Sequence, residues 1–189
     1  MKIIIKALEW ANKFVDTQEV PRNSNRGLVI DDIQKVFNYK GVAYCALFAQ
    51  YCYKRACSAF NIPFPFSGTA SSQTLYSEAL KKNWIETDFN KLAMGDIVIW
   101  RKFLKWQGHV GIVERVFPEF QLFHSIEGNT SSGDTGSQSN GDGIYRRVRY
   151  MKKMDFTVDS FWLRGFIDIS RVFPGELLSD DGDGTNQLF

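Results

Sequence analysis

With 189 residues, 44% apolar and 23% charged, the chain has the composition of an ordinary globular protein, which excludes wholesale disorder and fibrous repeats. A net charge of +2 is too small to argue for nucleic acid, and no apolar run reaches the roughly 18 residues of a membrane span. Three cysteines, at 45, 52 and 57, with no C-x-x-C spacing and no histidine nearby, exclude a disulfide framework and argue against structural zinc.

The elements read as follows in chain order. Ile4, Ala7, Leu8, Ala11 and Val15 recur at helical spacing and predict a helix over 2–15. The opening MKIIIKALEWANKF places a lysine after three apolar residues, too early for a secretory segment; a chain made in the cytoplasm without a signal peptide is expected, acting outside only after release or specialised export. After a polar loop (TQEVPRNSNRG) come a second helix over 28–38 and a third, more apolar one over 44–59. The prolines of NIPFPFSG break it, and Thr69-Ala-Ser-Ser opens a fourth helix running to about Lys82. Beyond Gly95 the period becomes that of strands: Asp96–Trp100, Val110–Phe117, Phe120–Ile126, Ile144–Tyr150 and Phe161–Ile169. TSSGDTGSQSNGDG (130–143) reads as a flexible polar loop, either a lid over a groove or an inert connector. Helices first and antiparallel strands second make an α+β pattern. Residues 1–173 form the domain, and 174–189 an acidic tail with four acids and no base; its DDGDG lacks the closing glutamate of a calcium loop. The domain then carries +6, a mild attraction for polyanions.

Helix physics separates the cysteines. Cys45 falls in the first turn of the third helix, where unsatisfied amides and the positive dipole end favour a thiolate. Cys52 and Cys57 lie mid-helix and near its C-terminal end, and read as packing residues. His109 stands at the mouth of a strand in Gly108-His-Val-Gly-Ile-Val. A turn at Phe117, Pro118 and Glu119 pairs Val116 with Phe120, which puts His109 opposite Glu127, about 5 Å away on one face, with Asn129 as diagonal neighbour. One more turn residue moves Glu127 and Asn129 to the wrong face unless a bulge intervenes. His124 has the other parity and is given a core or supporting role. Glu127 and Asn129 can each receive the imidazole N–H; Glu127 is preferred, because a carboxylate stabilises the imidazolium by charge.

Tyr44-Cys-Ala-Leu-Phe, Gly95-Asp-Ile-Val, Gly108-His-Val-Gly-Ile-Val and Glu127-Gly-Asn-Thr, in this order and spacing, resemble the CHAP family (cysteine, histidine-dependent amidohydrolases/peptidases) of the papain-like NlpC superfamily. Glu19-Val-Pro-Arg-Asn-Ser-Asn-Arg-Gly and Gly141-Asp-Gly-Ile-Tyr-Arg-Arg resemble a phage- and bacterium-associated subgroup, and the likeness covers roughly residues 10–170. Where the family often has Pro-Trp before the cysteine, this chain has Ala43-Tyr44. The resemblance implies a papain-like α+β domain with N-terminal helices on an antiparallel sheet. It implies Cys45 as nucleophile, His109 as general base, Glu127 as orienter and Asn129 as accessory polar group. Metal and organic cofactor are not required. The implied activity is cleavage of a peptidoglycan stem-peptide amide by a monomer, as an N-acetylmuramoyl-L-alanine amidase or endopeptidase, with no nucleic-acid or membrane partner. A wall-binding module of the same fold without turnover, and an amidase of a non-wall peptide or small amide, are the alternatives.

Overall fold

Ile3, Ile4, Ala7, Leu8 and Ala11 form the buried face of the first helix, α1 (Lys2–Lys13). They pack on α3 (Cys45–Ala59), which is buried at every position from Cys45 to Tyr53 and so shows little amphipathic contrast. The helix α2 (Leu28–Lys35) gives way to turns and ends the helical stretch at Asn38, which adopts a left-handed conformation. In α4 (Ser72–Lys81) the cap is Ser71, whose Oγ accepts the Thr74 N–H at 3.1 Å. The computed structural model describes residues 2–103, 105–132, 140–151 and 161–175.

Among the described residues seven strands form one antiparallel sheet: β1 (Thr17–Gln18), β2 (Ile85–Glu86), β3 (Ile97–Lys102), β4 (Gly108–Phe117), β5 (Leu122–Thr130), β6 (Gly143–Tyr150) and β7 (Phe161–Ile167). Their spatial order is β1-β6-β5-β4-β3-β7-β2. The helices and sheet thus make the α+β arrangement that the sequence predicts. Isoleucines and valines at 97, 99, 110, 112, 126, 144 and 167 join the helical core, while Val98, Trp100, Val113, Phe123 and Leu163 belong to a second cluster. That division follows the two-residue alternation of strands. The edge strands β1 and β2 escape a sequence reading because two residues carry no alternation. The alternation read as far as Ile169 stops at Ile167, and a short helix, α5 (Ile169–Val172), follows. Asp96 of Gly95-Asp-Ile-Val explains this join: its buried carboxylate accepts the N–H groups of Ile169 (3.0 Å) and Ala93 (2.8 Å). Burial pushes its pKa up to about 7 against those two bonds.

Cys52 and Cys57 are buried in the helical core, and burial holds the Cys52 thiol well above its ordinary pKa. Cys52→Ala is therefore expected to cost about 1–2 kcal/mol in denaturant unfolding. Turnover per folded molecule should stay unchanged; its loss in a well-folded variant would remove Cys45 from the role proposed below.

Candidate active site

The hairpin of β4 and β5 decides what His109 meets. The sequence reading places Phe117, Pro118 and Glu119 in the turn; in the structure Pro118–Phe120 form a 3-10 turn and Gln121 turns left-handed. Phe117 pairs with Leu122, Val116 with Phe123 and Arg115 with His124. That register has the wrong parity for Glu127. A bulge between Val113 and Arg115 then absorbs Glu114, so that Val113 pairs with Ser125 and Ile112 with Ile126. Carried one step further, the register sets Glu127 opposite Gly111, with His109 diagonal to it on the same face. The expected direct pair is thus a diagonal one, and Gly111 is why it works. A Cβ there would lie 2.8 Å from Glu127 Cγ, so only glycine lets the carboxylate cross toward the imidazole.

His109 and Glu127 are both buried, 3% and 0% exposed, with Nε2 of the histidine 2.8 Å from Oε2 of the glutamate. Glu127 is saturated. Its Oε1 accepts from Ser125 Oγ (2.6 Å) and Arg149 Nε (2.8 Å), and its Oε2 also accepts from Arg149 Nη2 (2.5 Å). Burial pushes the Glu127 pKa up, but the Arg149 charge and bonds, and then His109, outweigh it and hold the carboxyl well below the usual range. An ionised carboxylate only accepts, so His109 Nε2 is the donor.

The other ring nitrogen, Nδ1, is buried and makes no formed hydrogen bond, and the Cys45 thiol is the remaining group that acts on the ring. Burial pushes the imidazole pKa down; the Cys45 thiol and the Glu127 carboxylate reverse this and carry it up to about 9. Trp100 packs its ring 5.6 Å from the imidazole and receives the Arg149 guanidinium at 5.7 Å, between centroids and centre.

Cys45 opens α3, and Tyr44 before it provides no side-chain cap, which leaves the first-turn N–H groups without a side-chain acceptor. Two motifs hold this turn. Glu19, buried, accepts the Asn25 N–H at 2.8 Å and lies beside the Tyr44 hydroxyl. Gln34 bridges the same loop to the approach of α3, donating to Asn25 O (2.7 Å) and accepting the Val42 N–H (3.1 Å). Asp142 completes the tie through its carbonyl to the Glu19 N–H (2.8 Å) and its carboxylate to Arg22 (2.6 Å).

Cys45, His109 and Glu127 are therefore brought together. Asn129 departs from plain strand alternation: it is left-handed, fully buried, and sits at the shift between the Gly128–Ile144 and Thr130–Gly143 pairs. Its carbonyl accepts the Gly141 N–H (2.9 Å), and its backbone acts on the Tyr44 hydroxyl, so it ties β5 to the residue before Cys45. His124 is neither core nor support for the imidazole; half-buried, it packs on Phe117 with ring centroids 4.8 Å apart. Arg149 and Ser125 are the residues that sequence reasoning missed. Parity on β6, counted from the Glu127–Tyr145 pair, places Arg147 and Arg149 on the Glu127 face, and was the available signal.

A groove of about 380 Å³ runs past Cys45, walled by Ser72, Lys102, Trp106, Gln107 and Phe161 among others. Among the described residues no group of three or more His, Cys, Asp or Glu could hold a metal ion. Positions 133–139 of the polar loop, and 176–189 with DDGDG, lie outside the described residues.

A family model for the CHAP domain matches residues 36–129, a span that contains Cys45, His109, Glu127 and Asn129. No curated protein and no solved structure matches the chain. CHAP domains are typically cysteine hydrolases that act on peptidoglycan peptides. A cysteine opening a buried helix, an imidazole on the facing sheet and a family match over both lead to one assignment: over residues 36–129 this chain is a CHAP domain.

Proposed function

We propose that the protein is a cysteine amidase or endopeptidase that cuts an amide bond of the peptidoglycan stem peptide. The observation that carries this reading is the placement of His109 between the Cys45 thiol and a Glu127 held ionised, at the edge of a groove. The Cys45 thiolate attacks the amide carbonyl carbon, and the oxygen, now anionic, accepts the Cys45 backbone N–H. The C–N bond breaks as His109 Nδ1 gives its proton to the leaving amine, which leaves a thioester on Cys45. Water then attacks the thioester carbon, His109 Nδ1 takes the water's proton, and the carboxylic acid departs as the thiolate reforms. Glu127 keeps the ring oriented through both steps and favours its charged form. Asn129 acts as an accessory group by fixing the end of β5 against Tyr44.

Digestion of purified cell wall, with mass spectrometry of the released muropeptides, tests the reading. New termini at one stem-peptide amide are expected, the two products together heavier than the intact amide by one water. Wall that stays intact under the folded protein, with no new termini, would sink it.

A further inference from the structure

We propose that the groove beside Cys45 recognises a free carboxylate of the substrate near the amide to be cut, through the Lys102 ammonium and the Ser72 hydroxyl. This rests on the reading of Cys45 as the attacking group. Substrates would then be acidic stem peptides, and amidated ones would be poor.

The first observation is charge. The groove wall contains Lys102 and no aspartate or glutamate among the described residues, and Lys102 has no carboxylate partner among them. Among the described residues its ammonium rests over the Phe161 ring alone, 5.5 Å from the centroid, and Phe161 lines the same groove. A cation left on one wall of a cleft, beside a reacting centre, attracts an anion.

The second is a directed relay of hydrogen bonds. Arg164 Nη1 donates to Gln73 Oε1 at 2.7 Å; a guanidinium has no acceptor, so this contact fixes which end of the Gln73 amide is oxygen. The opposite end, Nε2, donates to Trp100 O (2.9 Å) and Ser72 Oγ (3.2 Å). Ser72 Oγ thus receives a proton and keeps its own to give, from a buried position on the groove wall. The cationic start of the relay polarises that hydroxyl toward an anionic acceptor. Gly108 is the space the relay needs: a Cβ there would meet Gln73 Nε2 at 2.1 Å, Ser72 Oγ at 2.4 Å and Trp100 O at 2.4 Å. The glycine before His109 therefore serves Ser72.

The third is an acceptor and a ring at the same wall. Gln107 Oε1 is buried with no hydrogen bond and suits a peptide N–H, while Trp106, 76% exposed, offers an indole face to a sugar or alkyl segment. A cation, a spare hydroxyl donor, a spare acceptor and an exposed ring together describe an acidic peptide joined to glycan.

The test measures binding and turnover separately. A disaccharide stem peptide with free carboxylates and the same peptide with its carboxylates amidated are titrated by calorimetry into Cys45→Ala protein. The acidic form should bind about tenfold more tightly, the difference one charge-assisted contact supplies. Adding Lys102→Met should erase that preference, and Ser72→Ala should reduce it. The preference should also shrink as salt is raised. In wild type the same pair should differ in KM with little change in kcat. Equal affinity for both peptides, or a preference that survives both substitutions, overturns the proposal. A Ser72→Ala effect on kcat alone, equal for both peptides, overturns it too and makes Ser72 an oxyanion donor. Binding with the expected preference but no cleavage by wild type would instead refute the hydrolase reading and leave the carboxylate site standing.

Discussion

Cys45→Ala is expected to abolish clearing of purified wall, by more than about 1,000-fold, while moving the melting temperature by no more than a few degrees. The thiol is one atom on a 4%-exposed side chain, and alanine keeps the helix start intact. No other cysteine stands in its place, because Cys52 and Cys57 are enclosed in the core. The same variant carries a readout independent of turnover. The Cys45 thiol is the first of the groups that raise the His109 imidazole, so removing it should lower the His109 titration from about 9, followed by NMR of the ring protons. An unchanged His109 titration would mean that the two side chains do not act on each other, and residual clearing would move the nucleophile elsewhere.

Glu127→Ala should be the most damaging single change to the fold, costing about 3–5 kcal/mol. It strips the counter-charge from His109 and from Arg149, neither of which is open to full solvation. Glu127→Gln keeps the shape and should cost less, yet the imidazolium still loses its partner, so the alkaline limb of activity should fall at lower pH. Arg149→Met acts on the other limb. Arg149 is the strongest influence holding Glu127 ionised against burial, so its loss should raise the pH at which activity fails on the acid side. In stability, His109 has a folded pKa raised from 6.5 to about 9, so its contribution is full below 6.5 and is lost as pH rises through 9. Glu127 is lowered from 4.5, so its contribution is full above 4.5 and is lost only in stronger acid. The pair therefore stabilises most between about pH 4.5 and 6.5, and thermal melts of Glu127→Gln should show this plateau lowered, with the His109 contribution lost by a lower pH than in wild type. A turbidity assay over about pH 4 to 10 reads the two limbs. If Glu127→Gln leaves the alkaline limb in place, the carboxylate does not hold the imidazolium.

The helices were legible because their apolar spacing also defines their buried faces; Ile4, Ala7, Leu8 and Ala11 meet the core as the pattern requires. Glu127 was legible through parity alone, since strand faces alternate whatever the distance along them. Its true register was not, because Gln121 and the bulged Glu114 depend on left-handed and irregular backbone that no periodicity records. Arg149 was hidden for another reason. It is cross-strand from Phe123, four residues along β6 from Tyr145 opposite Glu127, and only its long side chain closes that gap. Ser125 was hidden by proximity, as a second residue of the same strand face.

The bulge at Glu114 also sets a rule for insertions and deletions at the hairpin tip. Because the tip carries an odd correction that Glu114 cancels, lengths that differ by two are interchangeable there. A single added or deleted residue would turn the imidazole's partner outward unless the bulge vanished with it. Glu114 is pinned by Arg146, which grips its carboxylate from β6 with both Nε and Nη2 and reaches Asn12 of α1 as well. Loop grafts onto Pro118–Gln121 should therefore be drawn from turns of even length difference, and lineages that drift by one residue at this tip should rebuild the Glu114–Arg146 grip in the same step.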